Sequence, residues 1–147
     1  MFFDKNIVET NQKYSSKEDA IYTLSCKAMK AKKLISCEDY IHSVYEREEE
    51  YSTAIGYGVA IPHGCSNDVI ESFVAVATLE SPLKWDENLV DMIFMIGLEP
   101  NRRSQDHLKI LSSLSRYLVH EDFRKEVKLA RNNIELMQIL YQIEDEL

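Results

Sequence analysis

Two long apolar runs constrain this chain more than any other feature of its sequence. Residues 73–79 read Phe-Val-Ala-Val-Ala-Thr-Leu, and residues 89–98 are apolar at nearly every position. Such runs are typical of β-strands that are buried on both faces. We expect Ser81 and Pro82 to end the first of these strands. Because both faces of the strands need a cover, the sequence predicts an α/β fold, a sandwich of helices around a small mixed sheet.

Helical periodicity before and after these strands supplies that cover. Ser16 is expected to cap a first helix, because acidic residues follow it in the first turn and apolar residues recur at helical spacing. Ser104 is expected to cap a later helix, in which Leu108 is the first of four core leucines. Asn132, with Glu135 three residues on, is typical of the capping box of a last helix.

Composition and charge exclude several classes of protein. The 147 residues are 45% hydrophobic and 29% charged, which indicates one globular domain over residues 1–147. The net charge of -8 disfavours binding to nucleic acid or to anionic lipid. Three cysteines at wide spacing form no disulfide framework, and no apolar run is long enough to span a bilayer. We therefore expect a cytoplasmic protein without membrane insertion.

The segment 52–65 is the one most indicative of chemistry, because it holds three of the four glycines. Residues 59–61 are expected to form a short buried strand, which Pro62 ends because it has no N–H to donate to a sheet. Gly64 is expected to turn the chain sharply, leaving His63 at a strand tip. An isolated histidine of this kind commonly just hydrogen-bonds a backbone carbonyl. The compact frame instead favours a nucleophile that carries a phosphoryl group, since neutral imidazole keeps a free lone pair.

His107 and Arg47 are the two side chains best suited to assist His63. His107 lies in the first turn of the predicted third helix, where the helix dipole attracts anions. Arg47 ends the second predicted helix, and a guanidinium binds phosphate oxygens in bidentate fashion. Spacing alone favours a simpler interpretation, in which His107 is a half-exposed residue at a helix start and Arg47 a surface partner of Glu50.

Cys65 leaves a different chemistry open. A thiolate or metal-dependent hydrolase is an alternative, built from Cys65, His63 and His107 with Asp106 as a further ligand, although no recognised ligand spacing supports it. The chain has neither a Walker loop nor a dinucleotide-binding fingerprint, so we expect no cofactor. A phosphoryl group on this chain must then come from another protein.

Three segments of the chain form a recognisable set: Arg47-Glu48, the run 52–64 that ends in Ala-Ile-Pro-His-Gly, and the run 107–111, His-Leu-Lys-Ile-Leu. Together they resemble the fructose–mannitol type enzyme IIA of the bacterial phosphoenolpyruvate-dependent sugar phosphotransferase system. The resemblance extends from about residue 16 to residue 140. It implies a three-layer α/β/α sandwich in which helices flank a small mixed sheet, and a two-step phosphoryl relay.

The resemblance also implies a role for each site residue. His63 matches the phosphorylated histidine, which receives the group from the phosphocarrier protein HPr and passes it to a cysteine of an enzyme IIB. His107 matches the second active-site histidine, and Arg47 the arginine that helps to bind the phosphoryl group. Thr53 falls at the Ser/Thr position of the loop, and Thr53 and Gly64 are expected to support phosphate binding.

Two points remain open within this family. The same fold also serves as a regulatory module, whose phosphorylation state controls a kinase or a transcription regulator. Cys65 stands where threonine or lysine is expected after the motif, a departure that concerns the rim of the site and the choice of partner.

Overall fold

A computed structural model describes the backbone of residues 1–147 and the side chains at all positions except 102–104 and 106. Helices cover both faces of a mixed β-sheet. The elements are β1 (Val8–Gln12), α1 (Lys17–Lys30), α2 (Glu38–Glu50), β2 (Ala54–Gly56), β3 (Val59–Ala60), β4 (His63–Cys65), β5 (Phe73–Trp85), β6 (Asn88–Leu98), α3 (Arg103–Leu118), α4 (Glu121–Leu129) and α5 (Asn133–Glu144).

The sheet is organised around β6. Its strand order is β1-β5-β6-β3-β2, with β4 also paired to β6. The pairs β1–β5, β3–β6 and β4–β6 are parallel, whereas β5–β6 and β2–β3 are antiparallel. Among the described residues, no helix is long and apolar enough to cross a membrane.

Two hydrophobic cores lie on opposite faces of the sheet. Along β6, Phe94 and Ile96 belong to the core beneath α3, α4 and α5, while Ile93 and Met95 belong to the core beneath α1 and α2. Successive side chains of a strand point to opposite faces, so a strand buried on both must be apolar throughout. The predicted sandwich is therefore confirmed, and the apolar runs of β5 and β6 have the predicted cause.

The first apolar strand does not end where the sequence predicts. β5 continues through Ser81 and Pro82 to Trp85, and only its register with β6 shifts: Thr78 pairs with Met92 and Leu83 with Val90. Pro82 lies within this irregular stretch, where ladder hydrogen bonds are already interrupted. Continued pairing with β6 outweighs the local signal of a break.

Two of the predicted helix starts are confirmed by a capping hydrogen bond to a residue three positions further along the chain. The Ser16 side chain accepts a hydrogen bond from the Asp19 N–H, and the Asn132 side chain accepts one from the Glu135 N–H. The side chain of Ser104 lies outside the described residues. Leu108 is 74% exposed, so its assignment to the core was wrong.

Pro62 interrupts the strand formed by β3 and β4 without changing its register. Val59 pairs with Met92 and His63 with Ile96, a constant offset along β6. Pro62 has no N–H to donate, so the ladder opens there and resumes at His63. His63 therefore begins a strand near the carboxyl end of β6, and the predicted turn at Gly64 is absent.

Candidate active site

His63 is held by the chain segment just before it. Its Nδ1 lies 2.9 Å from the carbonyl oxygen of Ile61, in the gap between β3 and β4. A carbonyl oxygen only accepts hydrogen bonds, so Nδ1 must carry the proton in this contact. The lone pair of the neutral ring is then on Nε2.

The His63 side chain borders a cleft of about 560 Å³ between α2 and the start of α3. Only 8% of the residue is exposed. The cleft lies at the carboxyl ends of β4 and β6, the place where ligands commonly bind in open α/β sheets. The described side chains that line it are Ser43, Glu46, Arg47, Glu49, Glu50, His63, Cys65, Leu98 and His107, with Gly64 contributing backbone.

His107 comes to this cleft from α3, 44 positions further along the chain. The centroids of the His63 and His107 rings are 5.3 Å apart, and the ring planes are inclined by 51°. A small anionic group on one imidazole would lie within reach of the other. The structure thus brings together two histidines that the sequence could relate only through the family resemblance.

Arg47 reaches the same cleft from the last turn of α2. Its Nη1 donates a hydrogen bond of 2.9 Å to the Tyr51 carbonyl, and the guanidinium lies 4.3 Å from the centroid of the Tyr51 ring. The predicted surface pair with Glu50 is not among the ion pairs of the described residues. Tyr51 therefore orders the arginine, a role that nothing in the sequence signalled.

The surroundings of His63 disfavour protonation of its ring. Burial lowers the pKa of the imidazole from its ordinary value of 6.5. The Ile61 carbonyl opposes this shift in pKa, while the positive charge of Arg47 and the proximity of His107 add to it. A lowered pKa leaves the Nε2 lone pair available over a wider pH range.

Thr53 is not among the described residues that line the cleft. It is 2% exposed, and its hydroxyl donates a short hydrogen bond to the buried carboxylate of Glu48. Lys17 Nζ lies 2.9 Å from the other Glu48 oxygen. The Thr53 carbonyl in turn accepts the Ile61 N–H at 3.0 Å, so this network fixes the segment whose carbonyl orients His63.

Gly64 allows α2 to approach β4 closely. A Cβ at this position would lie 2.3 Å from Ser43 Oγ and 3.1 Å from the Val44 backbone nitrogen. The Ser43 hydroxyl could rotate away from this Cβ, but the backbone of α2 at Val44 would also have to shift, and the backbone of a packed helix moves with difficulty. The glycine is thus needed for packing rather than for the predicted turn.

Cys65 lines the cleft two residues after His63, on the same strand. Among the residues whose side chains are described, no group of three histidine, cysteine or carboxylate side chains is placed to hold a metal ion. The side chain of Asp106 lies outside the described residues. The arrangement that can be described is two imidazoles and a guanidinium around a small polar cleft.

Comparison with known proteins matches nearly the whole chain to one family. The family model described as "Phosphoenolpyruvate-dependent sugar phosphotransferase system, EIIA 2" matches residues 1–143. The 2-O-alpha-mannosyl-D-glycerate-specific EIIABC component of Escherichia coli is 33% identical over 88% of this chain, which spans 20% of that protein. The fructose-specific EIIA component of Haloferax volcanii is 31% identical, with 93% of this chain and 90% of that protein covered.

Solved structures share the fold at lower identity. The nitrogen regulatory protein IIA-Ntr from Neisseria meningitidis superimposes with a TM-score of 0.85 at 23% identity, covering 95% of this chain and 96% of that one. The mannitol enzyme IIA of Escherichia coli, in its complex with phosphorylated enzyme IIB, gives a TM-score of 0.79 at 19% identity, covering 95% and 99%. These similarities confirm the sandwich architecture.

Proposed function

The chain belongs to the EIIA 2 family of the phosphoenolpyruvate-dependent sugar phosphotransferase system, and we propose that it carries a phosphoryl group on Nε2 of His63. The single observation that supports this most is the hydrogen bond from Nδ1 to Ile61, which leaves Nε2 as the nucleophile. The family model and the curated relatives support a component of phosphoryl transfer.

The proposed reaction exchanges one N–P bond for another. The Nε2 lone pair of His63 attacks the phosphorus of phospho-HPr, and the donor's N–P bond breaks with its electrons returning to the donor imidazole. The guanidinium of Arg47 and the ring of His107 stabilise the charge on the transferred oxygens. Gly64 supports the site because it lets α2, which carries Arg47, lie close to β4. Thr53 supports the site because its carbonyl fixes the position of Ile61.

The proposed acceptor is a cysteine of an enzyme IIB. Its thiolate attacks the phosphorus on His63, the N–P bond breaks, and the imidazole recovers its lone pair. The similarity to the mannitol enzyme IIA, whose structure is known with phosphorylated enzyme IIB, supports a partner of this kind. The similarity to a nitrogen regulatory protein supports a second candidate function, a module whose phosphorylation state controls another protein.

One assay separates these two functions. The chain is incubated with phosphoenolpyruvate, enzyme I and HPr, and it should acquire phosphate that is labile to acid and stable to alkali. The phosphorylated protein is then offered a panel of enzyme IIB domains, of which at least one should discharge it. Absence of labelling contradicts both functions, whereas labelling without discharge by any enzyme IIB favours the regulatory module.

The lowered pKa of His63 predicts the pH profile of phosphorylation. The rate should stay level from neutral pH to below 6.5 and fall only as protonation occupies Nε2. In Arg47→Gln, loss of the positive charge should move this acid limb to higher pH. Initial rates with phospho-HPr measure the shift, and Arg124→Gln, whose guanidinium stacks on Tyr57 away from the cleft, is the control.

The same shift in pKa has a consequence for stability. Between the folded pKa and the unfolded value near 6.5, the unfolded chain binds more protons than the folded one. The contribution of His63 to the free energy of unfolding should therefore rise with pH within that window.

In the pH profile of the phosphorylation rate, an acid limb that did not move in Arg47→Gln would contradict the proposed coupling of Arg47 and His63.

Tyr51 is expected to assist transfer by ordering Arg47. Tyr51 is 67% exposed, so removing its ring in Tyr51→Leu should change the melting temperature little. Loss of an exposed cation–π contact of about 0.5–1 kcal/mol should slow transfer about two- to fivefold. Tyr57→Leu is a matched control, because Arg124 lies 4.2 Å from that ring, outside the cleft. Equal rates in the two variants would remove Tyr51 from the account.

A further inference from the structure

Three sulfur-containing side chains lie on the partly exposed side of α1, outside the cleft. Cys26 and Met29 are three residues apart on this helix and so lie on the same face. Cys37, which immediately precedes α2, donates from its Sγ to the Met29 sulfur at 3.7 Å. Cys26 and Cys37 are both partly exposed, so small molecules can reach them. The function proposed above uses none of these residues.

The loop between α1 and α2 holds Cys37 in this position. Lys32 has φ 63°, and this left-handed residue reverses the chain at the end of α1. Two hydrogen bonds of 2.8 Å then fix the loop to the segment 66–70: the Ile35 N–H donates to the carbonyl of residue 68, and the N–H of residue 70 donates to the Lys33 carbonyl. Cys37 is thus presented to α1 by a loop that is anchored on both sides.

The environment of Cys37 also reflects the presence of Cys26. Burial raises the pKa of Cys37 to about 11, and the charge of Cys26 adds to the rise. Cys37 therefore keeps its proton, and Cys26 lies on the face of α1 that Cys37 contacts through Met29. A thiol that stays protonated is suited to the resolving step of a redox pair, which follows attack by the neighbouring cysteine.

We propose that Cys26 and Cys37 form a redox-active dithiol site, which small disulfides oxidise to a reversible intramolecular disulfide. The Cys26 thiolate attacks one sulfur of a small disulfide and expels a thiolate, which takes up a proton. The Cys37 sulfur then loses its proton and attacks Cys26 in the mixed disulfide, expelling the second small thiol. Two cysteine thiols are oxidised, and one small disulfide is reduced to two thiols.

The resulting bond would join the partly exposed side of α1 to the start of α2, the helix that carries Arg47. The third cysteine, Cys65, lies in the cleft and serves as an internal reference. Because neither thiol takes part in phosphoryl transfer, failure of this proposal would leave the function of His63 untouched, and the reverse also holds.

Mass spectrometry after alkylation tests the proposal on the whole folded protein. In buffers of increasing oxidised-to-reduced glutathione ratio, the wild type should lose two of its three alkylatable thiols, and its mass should fall by about 2 Da before alkylation. Digestion should yield linked peptides containing Cys26 and Cys37, with Cys65 alkylated throughout. Dithiothreitol should restore all three thiols.

Single substitutions assign the two roles. Cys37→Ser should form no internal bond and should accumulate a glutathione adduct on Cys26, whereas Met29→Leu should still form the disulfide. Retention of all three thiols at the most oxidising ratio, or linkage through Cys65, would overturn the proposal. Protection of the two thiols that disappears with a copper(I) chelator would also overturn it, in favour of a soft-metal site.

Discussion

Replacing His63 by alanine is expected to abolish phosphorylation of the chain. The His63 imidazole supplies the nucleophilic nitrogen. Among the described side chains in the cleft, only His63 has a ring nitrogen that is anchored to the Ile61 carbonyl. Transfer from phospho-HPr should fall by more than about 10³-fold, since removal of a nucleophile leaves only binding. Radiolabel from phosphoenolpyruvate, with enzyme I and HPr present, measures the acid-labile phosphate on each variant.

Two comparisons make this result interpretable. His120→Ala removes an exposed histidine at the start of α4, remote from the cleft, and should be labelled at the wild-type rate. His63→Gln retains a polar side chain of similar length and should fold normally while remaining unlabelled. Full labelling of either His63 variant would show that another residue accepts the phosphoryl group.

Gly64→Ala is expected to have the second-largest effect, on stability and on transfer together. The new Cβ would overlap Ser43 Oγ and crowd the Val44 backbone nitrogen. Overpacking of this kind costs about 1–3 kcal/mol in the free energy of unfolding. Because α2 carries Arg47 and β4 carries His63, a displacement of roughly a few tenths of an ångström between them should slow transfer about tenfold.

The double variant Ser43→Ala with Gly64→Ala tests the cause of that effect. Removing Oγ relieves the closest contact and leaves the contact with Val44, so stability and transfer should recover in part. Chemical denaturation and initial rates measure both quantities against Ser43→Ala alone. A Gly64→Ala protein with wild-type stability and rate would contradict the close approach of α2 to β4.

Local signals in the sequence predicted the local parts of this fold correctly. The caps at Ser16 and Asn132 depend on hydrogen bonds to residues three positions away, and the sequence displays both partners. The exposure of Leu108 was missed, because helical periodicity does not fix which side of a helix meets the sheet. The course of β5 past Pro82 was missed because pairing with β6 determines it.

The candidate site also has parts that the sequence could predict and parts that it could not. His63, His107 and Arg47 border one cleft, as the resemblance implied, although the spacing between them carries no such information. The support from Lys17 to Glu48 could not be predicted, since it joins residues 31 positions apart through a buried ion pair. Such contacts form only once the helices have packed, and hydrophobic periodicity does not predict them.

The nitrogen that bears the phosphoryl group is the most direct measure of the central claim. Protein labelled with ¹⁵N-histidine is phosphorylated by phospho-HPr and examined by ³¹P and ¹⁵N NMR, with His63→Gln used to assign the ring. We predict phosphorus coupled to Nε2 of His63 and a protonated Nδ1, as the 2.9 Å contact with Ile61 requires. Phosphorus on Nδ1 of His63, or on His107 or Cys65, would contradict the account.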